Sequence, residues 1–355
     1  MNTETRMDEK KARAKPLRKH LRRLYELEAR IHGLDPWKWL APADIFGIHR
    51  EGCDPLFVCF HEIAGFKAVD IGLGWRSYHM LLHVHARKIH DPAFYFENRM
   101  FQFGRLDPKR VYDVEAAHYN RDAVATPDGL VPYFRSHQVG RAPWPVNRAE
   151  AVFLADVLYI IFGMAMRVED FSEPLGSRAM EEVYVMPVAA DGAPGEPRWE
   201  PVPPVPAEPR PEAAVSADVV KRVRGLPAGS RPMEMDHVFL PLFPGKHPAN
   251  TPPRTGYLFL FAVGRRGGAD ISAFVLHADG DLSNVWPRLP AHVLKVMAAQ
   301  PARPPEIRVA DSRLMALLRP LTELLPVKLT RAENLPLIER ESPGIINKMG
   351  LRNDG

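Results

Sequence analysis

Sixteen prolines crowd the stretch from Pro187 to Pro253. Proline has no backbone N–H and a fixed φ, so it interrupts helices and is confined to the edges of sheets. A compact core cannot be built from such a stretch, and the residues on either side must fold as separate units. The full length of 355 residues agrees, since domains of about 150 residues give two. With 46% hydrophobic and 25% charged residues, wholesale disorder is excluded. The expected fold class is α+β, with two α/β-type domains joined by a proline-rich connector. The boundaries read as a basic frayed arm at 1–15, an N-terminal domain at 16–175, a connector at 176–234, a C-terminal domain at 235–345 and a tail at 346–355.

Pro16 suits the first turn of a helix, and Leu17, Leu21, Leu24 and Tyr25 recur at the spacing of one helical face. Gly33 and Pro36 end it. Apolar runs at 45–49 and 56–61 flank Arg50–Pro55 and read as a β-hairpin. Further strands are expected at 66–73, 98–103 and 129–134, and a short helix from Trp75 to Leu82. Asn147 and Glu150 form a capping arrangement ahead of a long helix at 148–168. Its apolar stretch approaches the roughly 17 residues of a membrane span. Asp156, Gly163 and Arg167 share one narrow stripe, however, which suits a core helix.

In the connector, 182–188 and 198–202 read as a ribbon and 203–211 as a stiff extended spacer. Met233–Phe243 reads as a strand leading towards the second domain. There, strands at 257–263 and 271–277 flank the glycine-rich loop Gly264–Gly268, followed by helix, strand, helix, strand and a last short helix. This order resembles a ribonuclease-H-like domain, which implies acidic residues converging on divalent ions. Asp311 ends a central strand where such a domain places one acid. The strand 257–263, read as the first, carries none, and Asp311 also suits the N-cap of the helix that follows.

Residues 1–30 hold ten basic and five acidic side chains, whereas the whole chain carries +4. Such an arm can contact nucleic acid through phosphates. A solvated helix face is the plainer account, because no aromatic residue interrupts Arg6–Arg23 to stack on bases. Two cysteines cannot make a disulfide framework, and the N-terminus shows no apolar leader, so a cytoplasmic protein without a membrane segment is expected.

Leu130–Ser136, followed by Gly140–Pro145 and Glu150–Leu154, carries a Phe-Arg-Ser, Pro-Trp, long-helix pattern. It resembles the N-terminal domain of an uncharacterised bacterial two-domain family. Pro304–Val309 with Leu335–Ile338 resembles the small C-terminal domain joined to it. Together the resemblances cover about 15–175 and 235–345 and imply a domain division without implying an activity.

Eight of fourteen histidines lie between His49 and His137. His79 and His83 are four apart and can share a helical face as metal ligands, but a third ligand is missing and Met80 stands where a metalloprotease helix carries glutamate. Cys53 and Cys59 lie six apart, and His61 can share a strand face with Cys59. Thiolate chemistry needs such an activating neighbour; a buried apolar Cys59 is the simpler reading. Tyr133, Arg135 and Trp144 are the residue types of recognition surfaces, although Trp144 between two prolines also suits a plug beneath the long helix. No complete catalytic set, metal site or cofactor motif emerges. The expected function is a non-enzymatic cytoplasmic binding or scaffold protein with a protein partner. The alternative is a nucleic-acid-associated protein with a basic N-terminal arm and a degenerate nuclease-like C-terminal domain, and a metal enzyme using His79 and His83 is the third.

Overall fold

Phe46–Arg50 (β1) and Leu56–Ile63 (β2) form the expected hairpin, and Phe66–Leu73 (β3), Met100–Leu106 (β4), Val131–His137 (β5) and Trp144–Pro145 (β6) continue it as an antiparallel run. The computed structural model describes residues 3–348 except 64, 87–95, 112–114, 116–125, 127, 205–214, 241–251, 253–254, 266–267, 279–281 and 283–284. Glu182–Val188 (β7) pairs in parallel with β1, and Arg198–Pro201 (β8) lies beyond it. The ribbon expected in the connector is therefore two strands of an eight-stranded sheet of order β6-β5-β4-β3-β2-β1-β7-β8. The spacer read at 203–211 falls, from 205 onward, outside the described residues.

Two helices cover one face of this sheet. Thr3–Leu34 (α1) extends upstream of Pro16, because the residues before it include several Ala, Lys, Arg and Glu, all strong helix formers. Gly74–Leu81 (α2) lies elsewhere, and Arg148–Val168 (α3) completes the pair. Asn147 accepts the Glu150 N–H while the Glu150 side chain accepts the Asn147 N–H, so both orphan donors are satisfied and the helix starts where the sequence places it. Ala151, Leu154, Leu158, Ile161, Ala165 and Val168 form its buried stripe, and Asp156 faces outward to Arg23 of α1 at 3.2 Å. By length and composition α3 is apolar enough to cross a membrane. Its apolar stripe instead packs with Leu24 and Ile31 of α1 on Phe46, Phe60, Val69, Ile71 and Phe103. Each fully buried side chain of this size contributes roughly 1.5–3 kcal/mol. On the other face α2 closes a smaller cluster of Ile45, Phe57, Tyr78, Leu81, Val183 and Val185.

The second unit contains Ala217–Gly225 (α4), Met233–Leu240 (β9), Gly256–Arg265 (β10), Gly268–His277 (β11), Leu289–Ala298 (α5), Glu306–Val309 (β12), Ser312–Leu324 (α6), Lys328–Arg331 (β13) and Pro336–Lys348 (α7). Its sheet has the order β11-β10-β9-β12-β13, with β9, β10 and β11 antiparallel to their neighbours in turn and β12 and β13 added in parallel. Within the segment 233–243, read as an approach to the domain, Met233–Leu240 is thus the central strand, because it pairs on both edges. Leu240, Leu258, Leu260 and Ala262 pack on Leu335 and Ile338 at the start of α7. On the opposite face Phe274 stacks on His292 of α5 at 4.7 Å, and Phe259 meets Trp286. Helices therefore cover both faces, and the chain is α+β with two mixed sheets.

Candidate functional site

β9 carries two acids on one face, since strand side chains alternate. Glu234 is buried, and its carboxylate accepts the backbone N–H groups of Leu337 at 2.8 Å and Ile338 at 3.2 Å. It ties the central strand to the positive N-terminal end of α7, a structural task. Asp236 lies two residues on. Burial raises its carboxyl above the ordinary range, and the charges of Asp311 and Glu339 push the same way against the His237 amide and ring. Asp311 follows β12, the neighbouring parallel strand, and accepts the Arg313 N–H as the N-cap of α6. The His237 ring stands near both, with Nδ1 4.0 Å from Asp236 Oδ1 and Nε2 3.9 Å from Asp311 Oδ2. Arg313 lies over the Trp286 ring, 4.2 Å from its centre. Sequence reasoning missed Asp236 because it took 257–263 as the first strand; the Met-Glu-Met-Asp alternation at 233–236 was the available signal. α5 contributes no carboxylate, as its sequence LPAHVLKVMA shows.

In the N-terminal sheet, Tyr133 and Arg135 share a face of β5, and the guanidinium lies 4.9 Å from the centre of the tyrosine ring. Arg135 also grips Glu115 through Nε and Nη2 at 2.9 and 2.8 Å. Strand register lays further polar groups beside them. Gln102 stands opposite Arg135, and Asp70 opposite Gln102. Gln102 Nε2 donates to Asp70 Oδ1 at 2.8 Å, and His61 Nε2 lies 3.0 Å from Asp70 Oδ2. A row of polar side chains thus crosses four strands, with His61, Asp70 and Gln102 buried and Arg135 half-buried at its end. Burial raises the Tyr133 hydroxyl, with the Asp70 charge adding to it, so the phenol stays protonated. Trp144 pairs with Ser136, the residue between Arg135 and His137, and so lies on the opposite face from Tyr133 and Arg135.

A third group sits where α1 ends. Glu28, His32 and Asp35 follow the i, i+4, i+7 spacing of one helical face. They line or adjoin a cleft of about 570 Å³ with Lys67, Arg105 and Asp128. Arg105 bonds Glu28 and reaches Asp128 at 3.1 Å, His32 Nε2 lies 3.1 Å from Glu28 Oε1, and Lys67 pairs with Asp35 at 2.5 Å. Asp35 has φ of 59°, an uncommon left-handed conformation for a residue with a side chain. Burial, reinforced by the nearby Arg105 charge, pulls the His32 imidazole down to about 4, so it is neutral at physiological pH.

Residues 22–185 match the family model for a domain of unknown function, DUF7309, and residues 219–341 match a second, DUF6930. Two domains of unknown function in this order are consistent with the uncharacterised two-domain family that the sequence resembles. The polar row and the α1 cleft both fall in the DUF7309 domain, and Asp236, His237 and Asp311 fall in the DUF6930 domain. No curated protein and no solved structure matches the chain.

The remaining candidates of the DUF7309 domain stay apart. His79 Nε2 is 3.0 Å from the Pro203 carbonyl and His83 is exposed on the turn after α2, while the His85 side chain and His90 lie outside the described residues. Among the described residues, no three His, Cys, Asp or Glu side chains are placed to hold a metal ion. Both cysteines are free. Cys59 is fully buried and its thiol donates to the Pro42 carbonyl at 3.1 Å. Burial and the charges of Asp70 and Asp44 push that thiol well up, so His61 does not turn it into a thiolate.

Proposed function

We propose that this is a nucleic-acid-associated binding protein whose DUF6930 domain is a degenerate ribonuclease-H-like module. One observation carries the reading: Asp236 lies on the central strand and Asp311 follows the parallel strand beside it, in a sheet that begins as a three-strand antiparallel meander. That arrangement resembles the ribonuclease-H-like layout and supplies the first-strand acid that the sequence reading lacked.

Hydrolysis with two divalent ions needs several carboxylates around ions about 3.5–4 Å apart. Here α5 brings none, and an imidazole rather than an acid stands beside the pair. The reading is therefore recognition without phosphodiester cleavage, on fold-level analogy. The basic residues of 1–30 supply the phosphate contacts. We also place the protein in the cytoplasm, where the exposed Cys53 thiol stays reduced.

Titrating labelled DNA and RNA, single- and double-stranded, at two salt concentrations tests this. The expected result is an affinity that falls steeply with salt; absent binding, or equal retention at both salts, overturns it in favour of a protein-binding scaffold. Incubation with magnesium or manganese should leave the nucleic acid intact. Cleavage that disappears in Asp236→Asn would make the domain a working nuclease.

A further inference from the structure

The two sheets have four edge strands, and three are blunted against strand addition. β6 is two residues long and ends in Pro145; β8 is four residues long, contains Arg198, Glu200 and Pro201, and follows Pro197; β13 is four residues long and bounded by Lys328 and Arg331. Shortness, proline and charge are the usual protections of an exposed edge. The fourth edge is long and carries neither proline nor lysine nor arginine. β11 runs ten residues from Gly268 to His277, a span of about 34 Å. Among the described residues it pairs with β10 alone. Its one carboxylate, Asp270, is engaged by Arg265 across the hairpin.

The strand is also firmly seated on its own sheet. Ile271 and Val275 pack against the cluster of Leu258, Leu260 and Ile338, while Phe274 stacks on Phe259 and Phe261. Ala273, between them, is exposed. An edge with outward N–H and C=O groups is a template for another strand.

We infer that β11 is a docking edge for a second copy of this chain, paired antiparallel about a two-fold axis. Self-complementarity selects that occupant. With Ala273 at the axis, Ile271 falls opposite Val275, Asp270 opposite Leu276, and Ala269 opposite His277. Ile271 meets Val275 on both sides of the axis and no like charges face each other, both of which favour a cross-strand pair. The two-fold contact also consumes both edges and closes, whereas a head-to-tail contact would propagate. Two five-stranded sheets become one of ten strands.

The test is the mass of the full-length protein by light scattering from low to high micromolar concentration. Twice the monomer mass is expected at the upper end. Ala273→Lys, at an exposed position, should keep the circular dichroism spectrum and return the mass to that of a monomer, because the axis brings two ammonium groups together. Ala273→Val should keep the dimer. Amide exchange of the wild type supplies a reading that needs no variant: protection along β11 should fall on dilution. A wild type that is monomeric throughout, a dimer unaffected by Ala273→Lys, or β11 protection independent of concentration each overturns the inference.

Discussion

Arg105 holds the buried carboxylate of Glu28 through both oxygens, Nε to Oε1 at 2.8 Å and Nη2 to Oε2 at 3.2 Å. Burial raises the Glu28 carboxyl, the Asp128 charge adds to that, and the guanidinium is what opposes the shift. A buried pair of this kind is expensive to break and cheap to replace. Arg105→Met should cost about 3–5 kcal/mol by urea unfolding, because it strands the carboxylate. The double variant Glu28→Leu with Arg105→Met should recover most of that loss. Equal stability of single and double variants would show that the pair does not act as one unit.

His32 gives the same cleft a pH signature. Its imidazole titrates at about 4 in the folded chain against 6.5 ordinarily, so the unfolded chain binds the proton first. The folded state loses stability as pH falls from 6.5 to about 4, by about 3 kcal/mol in total. Glu28 works in the opposite sense, since its raised carboxyl gains a proton more easily when folded. Subtracting the profile of His32→Gln isolates the histidine. The difference should grow through that window and level off below it.

Asp44 joins two distant loops with one side chain. Oδ2 accepts the Ala41 N–H and Oδ1 the Gly176 N–H, each at 2.7 Å, and the residue is buried. Asp44→Ala leaves both donors without their partner and should cost about 1–3 kcal/mol. Thermal unfolding reads it, and hydrogen exchange at Gly176 should rise in parallel.

Gly104 is required by close approach. A Cβ at this position would come within 2.5 Å of the Lys67 carbonyl oxygen and 3.0 Å of the Ala68 Cα, both backbone atoms that a rotamer change cannot move. Gly104→Ala should therefore force β3 and β4 apart and cost about 1–3 kcal/mol. An unchanged melting temperature would mean that the strands can shift freely.

Elements set by neighbours in sequence were readable in advance. The helix 148–168 with its Asn147 cap, and the hairpin across 50–55, follow from local periodicity and local hydrogen bonding. The pairing of β7 with β1 was hidden, because parallel strands more than 130 residues apart leave no mark in either segment. Strand 257–263 outshone 233–240 for a related reason: it is apolar on both faces, whereas the central strand carries Glu234 and Asp236, and Glu234 is buried only because α7 supplies its hydrogen-bond donors.

The candidate sites divide along the same line. Residue type and spacing by themselves determined which of the named side chains could act: Tyr133 two residues from Arg135, His79 four from His83, and Asp311 ahead of a helix. Tertiary structure alone decided who meets whom. It put Trp144 on the far side of the sheet, joined His61, Asp70 and Gln102 across three strands, and set His237 beside Asp311. The reason is register, for a shift of one residue exchanges the faces of a strand, and register is fixed by the packing of whole sheets rather than by any short run of sequence.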